Sequence, residues 1–313
     1  MHDKRIIFLG TPAFAVACLQ ALIEAGLQVV AVVTMPDKPA GRGQKLQESP
    51  VKQYAAARGI PVLQPEKLKN PDFLTQLASY KADVQVVVAF RMLPELVWSM
   101  PPLGTYNLHA SLLPNYRGAA PINWAIMNGE HETGVTTFKL QHAIDTGDWV
   151  HQQRLSIQSD WDAGRLHDEL MDMGAKLMVQ TIKEVFAGKV TYHQQPQTTA
   201  GLKTAPKIFK EHCRIDWSKG GDDLINQIRG LSPYPGAFCL ANGLVLKIYK
   251  ASFVQERHIV QVGQGRLHEN EWQIAVRDGW ITLREVQLEG KKRMTAADLI
   301  RGNAALSTTL LGQ

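Results

Sequence analysis

The sequence predicts an α/β fold, a doubly wound and parallel-rich sheet followed by a separate small β-barrel. Three observations predict it. Apolar, β-branched runs at 4–9, 28–34 and 82–89 alternate with helical patterning, as in strand–helix–strand units. The stretch 190–206 is poor in apolar residues and rich in Gln, Thr and Lys, as linkers are. Beyond it, short apolar runs recur at hairpin spacing, with turns such as Ala241-Asn-Gly243. The expected layout is therefore a first domain over 1–189, a linker over 190–206 and a second domain over 207–313.

In the first domain, residues 4–9 read as a buried parallel strand. Pro12 suits a first helical turn, 13–25 carries helical patterning, and Gly26 stops it. Residues 28–34 return as the second strand. The intervening turn holds Gly10 alone, with Pro12 and Phe14 where a Gly-x-Gly-x-x-Gly loop has its later glycines. No NAD-type dinucleotide is expected. Residues 35–50 hold three prolines, two glycines and the cations Lys38, Arg42 and Lys45. They read as a long functional loop, a poor helix and a poor strand. Arg42 between two glycines sits on backbone that can approach a partner closely.

Helices are expected over 51–58 and 71–79, with a short strand at 61–64. The run 82–89 reads as a central strand. Phe90-Arg91-Met92-Leu93-Pro94 leaves it at the carboxyl edge, where open α/β sheets hold ligands. A short helix (95–100), a strand (104–108), a helix (122–128), a strand (134–140) and an edge strand (149–157) follow. The amphipathic run 162–186 is a long helix that closes the domain. In the second domain, strands are expected at 208–217, 236–240, 244–253, 263–267, 271–276 and 280–286, with helices at 224–229 and 296–301.

Length and composition narrow the class. A chain of 313 residues with 45% hydrophobic and 20% charged residues suits two ordinary globular domains. No apolar run reaches membrane-span length, and the start is too short for a signal peptide. Cys18, Cys213 and Cys239 lie far apart, without metal spacing or an even disulfide set, so a cytoplasmic location is expected. The net charge of +5 is uneven: residues 1–205 hold 19 Lys and Arg against 18 Asp and Glu, the remainder 15 against 11. A basic second domain suits a polyanionic partner. Its densest cluster is Lys291-Lys292-Arg293.

The chemistry concentrates in Asn107-Leu-His109-Ala-Ser111-Leu112-Leu113-Pro114 and in Asp145-Thr-Gly147-Asp148. Two residues apart on a strand, Asn107 and His109 share one face. An acyl transfer between amines passes through an oxyanion, and protons must leave one amine and reach another. The Asn107 amide can donate to that oxygen, His109 can handle protons, and Asp145 can orient the imidazole or act through a water. His142 competes as a base. Ser111 lacks a nucleophile elbow. Arg117-Gly118 fits an anion clamp or plain surface, and no histidine spacing suits a metal.

Together with Arg117-Gly-Ala-Ala-Pro121, these motifs resemble the folate-dependent formyltransferases. Phe8-Leu-Gly-Thr-Pro12, Pro36-Asp-Lys-Pro-Ala-Gly-Arg42-Gly, Cys213-Arg-Ile-Asp-Trp217 and Leu231-Ser-Pro-Tyr-Pro-Gly236 extend the resemblance over nearly the whole chain. It implies a Rossmann-like formyltransferase domain and a C-terminal OB-like barrel. It implies 10-formyltetrahydrofolate as donor, held by Phe90, Arg91, Met92, Leu93, Ser111, Leu112, Leu113, Pro114 and Ile144. It implies initiator Met-tRNA as acceptor and partner, met by Arg42, Lys45, Lys291, Lys292 and Arg293. Asn107, His109 and Asp145 carry over as catalytic, with no metal, no membrane and a monomeric enzyme. A formyltransferase for small amines, a binding module without turnover and a hydrolase of the same donor are the rival readings.

Overall fold

The structure is a computed structural model, which describes residues 4–40, 45–196 and 200–312. Its backbone forms two compact units. One comprises Met1–Gly118, Thr133–Leu155 and His167–Thr204, the other Ala119–Glu132, Ser156–Leu166 and Ala205–Gln313.

The first unit holds a seven-stranded sheet in the order Trp149–Ser156, Glu132–Lys139, Thr105–His109, Val84–Val88, Arg5–Gly10, Gln28–Val33, Val62–Leu63. The last five strands pair in parallel, and Glu132–Lys139 runs antiparallel to Thr105–His109. Val84–Val88 is buried at every position, as a central strand between two parallel neighbours must be. On one face Ile7, Leu9, Val33 and Val87 meet Phe73, Leu77 and Val97. The alternate residues Ile6, Phe8, Val86 and Val88 are as deeply buried. Each such side chain contributes about 1.5–3 kcal/mol of burial free energy. The helix Ala163–Ala187 is tied to the sheet by Thr181 Oγ1, 2.8 Å from Thr137 Oγ1. A Cβ on Gly10 would lie 2.6 Å from the Ala15 Cβ, so this glycine sets the close approach of the first helix to its strand.

The stretch 35–50 departs from the expected loop. Lys38–Ala40 pairs antiparallel with Lys45–Gln47, with Pro39 opposite Leu46. In a two-stranded ribbon each strand is an edge, so a proline without an N–H is tolerated. Arg42 lies outside the described residues, and of Lys45 only its backbone pairing is described. The ribbon's base is anchored by Asp37, which pairs with Lys52 and accepts from Gln64 Nε2 at 2.7 Å. Hydrogen bonds from Lys52 and then Gln64 hold the Asp37 carboxyl below its ordinary range. A depressed carboxyl stabilises the fold fully above its unfolded value, near 3.9, and less as pH falls through the folded one. Asp37→Asn is therefore expected to lower the thermal midpoint at neutral pH. That difference from wild type should vanish in more acid solution, which a pH series of melts reads directly.

In the second unit, Ala237–Ala241, Leu244–Gln255, Gly279–Leu288, Glu271–Val276 and Gly265–His268 form an antiparallel sheet in that order, and Met294–Thr295 pairs with Gly279–Leu288. The first hairpin turns on Asn242 and Gly243, both at positive φ (50° and 80°), as a two-residue Asn-Gly turn requires. The chain's last segment joins the two sheet edges. Gly312 exchanges backbone bonds with Leu240 (2.8 and 3.1 Å), Leu311 N–H donates to Gly263 O (2.9 Å) and Gly265 N–H to Thr309 O (3.1 Å). This closes an OB-like barrel around Trp217, Leu246, Ile248, Trp272, Ile274 and Ile281.

Residues 208–217 form no strand. The Phe209 N–H donates to His212 Nδ1 (2.9 Å) and starts the short helix Lys210–Cys213. A local side-chain acceptor outcompetes the ladder there.

The second unit also takes in 119–132 and 156–166, which lie inside the sequence range read as the first domain. The helix Pro121–Met127 packs on Gly221–Leu231, with Asn123 Nδ2 donating to Gly230 O at 2.7 Å. Arg229 Nη1 donates to the carbonyls of Gln158, Ser159 and Trp161 (3.2, 2.6 and 3.0 Å). In turn, 190–196 and 200–204 belong to the first unit.

Among the described residues no helix is long and apolar enough to cross a membrane. All three cysteines are free and buried, and burial pushes the Cys239 thiol up to about 12.

Candidate active site

Asn107 and His109 close the strand Thr105–His109 at the carboxyl edge of the parallel strands. Val87 and Phe138 flank Asn107 across the sheet, and Thr136 stands opposite His109. His109 is 6% exposed. Its Nε2 lies 2.8 Å from Tyr116 O. A carbonyl only accepts, so Nε2 carries the proton. In the neutral ring Nδ1 is then the lone-pair nitrogen. It faces Asp145, with Oδ2 at 3.9 Å, beyond direct hydrogen bonding. The same Oδ2 accepts Gly118 N–H at 3.0 Å. Among the described residues, no hydrogen-bond partner occupies the half-buried Asn107 amide. The structure thus brings His109 and Asp145 together, with Asn107 two residues before His109 on the same strand.

The backbone around them is held in costly conformations. Tyr116 (φ 61°) and Asp145 (φ 52°) are non-glycine residues in the left-handed region. Each such residue costs on the order of 1–3 kcal/mol and persists only where its surroundings over-determine it. Part of that surrounding is Gly147, where an added Cβ would fall 1.7 Å from Lys139 O. The Asp145 loop is thereby seated directly on the strand Glu132–Lys139.

The residues expected around the donor fall into two groups. Met92 (73% exposed) and Ile144 (58% exposed) present apolar side chains to solvent at the strand ends, and Phe90 is half-buried. A concavity of about 480 Å³ is lined by Leu68, Lys69, Met92, Leu93, Pro94 and Leu96 among others. Its size is that of small-molecule sites. Arg91 lines it too, and its guanidinium pins the loop, with Nη1 donating to Glu66 O at 2.8 Å and Nη2 to Pro65 O. Ser111 is fully buried, and its hydroxyl donates to Asn115 O at 2.7 Å. Leu113 is buried too, its carbonyl accepting from Gln152 Nε2 at 2.7 Å, while Leu112 and Pro114 are half-buried.

His142, the competing base, is 76% exposed at its side chain and sits 3.3 Å from a Glu95 carboxylate oxygen, edge-on to Trp98. It links its loop to the short helix Glu95–Trp98. In the second unit Lys291, Lys292 and Arg293 are all exposed. Arg293 is paired with Glu285 and lies over the Tyr249 ring at 4.3 Å, so its charge is already matched. Neither lysine has an acidic partner among the described residues. No group of three or more metal-binding side chains occurs among the described residues.

Three participants were not legible from the sequence: the Tyr116 carbonyl, the Gly118 N–H and Gln195. The first two act through the backbone, which carries no residue signature. Gln195 lies in the stretch read as linker. Arg117, read as an anion clamp or surface, is hydrogen-bonded through Nε and Nη2 to Gln195 Oε1 (3.2 and 2.7 Å).

A buried imidazole with one free nitrogen, a carboxylate beside it and an unengaged amide suit amine acyl transfer. Comparison with known proteins agrees: the chain belongs to the formyl transferase family, matching it over residues 4–182 and its C-terminal domain over 207–304. It is 51% identical over 309 residues to the methionyl-tRNA formyltransferase of Bacteroides fragilis, covering 96% of this chain and 95% of that protein. The methionyl-tRNA formyltransferase of Parabacteroides distasonis is 50% identical over 321 residues, 99% of each chain. Among solved structures, WlaRD, a sugar 3N-formyl transferase crystallised in the presence of dTDP and 5-N-formyl-THF, shares the fold. Its TM-score is 0.66 at 20% identity, over 93% of this chain and 100% of that one.

Proposed function

We propose that this chain transfers the formyl group of 10-formyltetrahydrofolate to the α-amine of methionine on initiator Met-tRNA, for the start of translation in the cytoplasm. The observation that carries the chemistry is the engagement of His109 Nε2 by Tyr116 O, which leaves Nδ1 as the free base toward Asp145. The acceptor is supported by half identity, over nearly the full length, to methionyl-tRNA formyltransferases.

In the reaction the methionine nitrogen attacks the formyl carbon. As the new C–N bond forms, the carbonyl oxygen gains charge and the Asn107 amide donates to it. His109 Nδ1 takes the proton lost by the amine, and the Asp145 carboxylate stabilises the imidazolium. The bond from the formyl carbon to folate N10 then breaks, and His109 returns the proton to N10. Formylmethionyl-tRNA and tetrahydrofolate leave. Phe90, Met92, Leu93 and Ile144 form the apolar wall for the pterin, with Leu112 and Pro114 beside it. Arg91 lines the same concavity, and the buried Ser111 and Leu113 hold the 111–114 segment in place. Arg42, which lies outside the described residues, and Lys45 meet the acceptor stem, and the barrel meets tRNA phosphates.

Label from 10-formyltetrahydrofolate should appear in formylmethionyl-tRNA and not in a small amine such as an amino sugar nucleotide. Transfer to the small amine alone would overturn the choice of acceptor. Phosphate contacts release counterions, so the logarithm of affinity falls linearly with that of salt. Replacing Lys291 and Lys292 together by alanine is expected to weaken tRNA binding and to flatten that slope by about one per lysine. Filter-binding titrations over a salt series check it.

A further inference from the structure

Gln195 is buried, 9% exposed, and all four hydrogen-bonding positions of its amide are used. Its Nε2 donates to Asp145 O (3.0 Å) and Gly147 O (2.7 Å). Its Oε1 accepts both Nε and Nη2 of Arg117. Carbonyls only accept and a guanidinium only donates, so this amide has one possible orientation. Its own position is fixed two residues upstream. His193 and Trp149 exchange backbone bonds (2.9 and 3.0 Å), and their rings stack at 4.1 Å. The two groups that Gln195 grips are the two sides of the catalytic contact. One is the loop that holds Asp145 at φ 52°. The other is Arg117, next to the Gly118 N–H that binds the Asp145 carboxylate.

We infer that Gln195 is a positioning residue for the reaction: it clamps the Asp145 loop and the Arg117-Gly118 segment together, and so fixes the Asp145 carboxylate relative to His109 Nδ1. Gln195 touches none of the reacting atoms, so its effect passes through Asp145, and the inference rests on the catalytic reading of Asp145 given above. Displacing a catalytic group by about an ångström costs on the order of 10²-fold in rate without weakening binding.

The test is Gln195→Met, which keeps the side chain's bulk and removes all four bonds, made both in wild type and in an Asp145→Asn background. In wild type, kcat should fall by about 10–100-fold while KM for donor and tRNA stays within about threefold. In the Asp145→Asn background the same change should alter kcat by less than about twofold, because the group it positions is already disabled. Retention of wild-type kcat, or an equal loss in both backgrounds, would overturn the inference. An Asp145→Asn enzyme of full activity would instead refute the role given to Asp145. Should Gln195→Met not fold, Gln195→Glu keeps the Arg117 acceptor and loses the donors to Asp145 and Gly147, and the same two comparisons decide.

Discussion

Replacing His109 by alanine is expected to lower kcat for formyl transfer by about 10²–10⁴-fold, the range of a positioned acid–base group. The reason is that one nitrogen does the work. Nε2 is held by Tyr116 O at 2.8 Å and cannot take a proton, so Nδ1 alone can accept from the amine and return to folate N10. Alanine also removes the His109 hydrogen bond to the Tyr116 carbonyl, at about 0.5–1.5 kcal/mol of stability. His109→Gln separates the two effects. It keeps an N–H able to donate to that carbonyl but has no titrating nitrogen. It should hold its thermal midpoint better than alanine and lose activity as severely. Single-turnover transfer to Met-tRNA, with melts of each variant, reads both. A glutamine enzyme within tenfold of wild type would remove His109 from the proton path.

The second large effect is expected at Asp145. At 3.9 Å from the imidazole, a unit negative charge contributes about 4 kcal/mol of Coulomb attraction at an effective dielectric near 20. That bounds the loss at about 10³-fold, since each factor of ten in rate is 1.36 kcal/mol. Asp145→Asn is nearly isosteric, and its carbonyl oxygen still accepts the Gly118 N–H. The loop geometry should therefore survive, and the substitution reads charge alone. We expect kcat down by about 10²–10³-fold, KM for folate nearly unchanged and the thermal midpoint close to wild type. A fall in KM-based affinity with kcat intact would make Asp145 a donor-binding residue.

The fold was most legible where burial imposes a period. The strand Glu271–Val276 matches the sequence reading as a continuous buried run, and the helix Ala296–Arg301 matches it by turning Ala296, Leu299 and Ile300 to the core. The paired ribbon at Lys38–Ala40 and Lys45–Gln47 was not legible: its order comes from backbone pairing and the Asp37–Lys52 anchor, which leave no apolar pattern. The expected strand at 208–217 failed because His212 Nδ1 captures the Phe209 N–H, a choice made by one local bond. At the site, Asn107, His109 and Asp145 could be proposed from the sequence because their side chains carry the chemistry, and the structure sets His109 beside Asp145. Tyr116 contributes a carbonyl that any residue has. Gln195 acts 50 residues beyond Asp145, in a stretch whose polarity resembles a linker because its amide serves the interior.

The proton transfer depends on which nitrogen of His109 faces the substrate. The direct measurement is the ¹⁵N chemical shifts of the His109 ring in the folded enzyme, at a pH where the imidazole is neutral. A protonated Nε2 and a pyridine-type Nδ1 are predicted, in the free enzyme and with folate bound. A protonated Nδ1 with a bare Nε2 would place the lone pair against the Tyr116 carbonyl and contradict the mechanism.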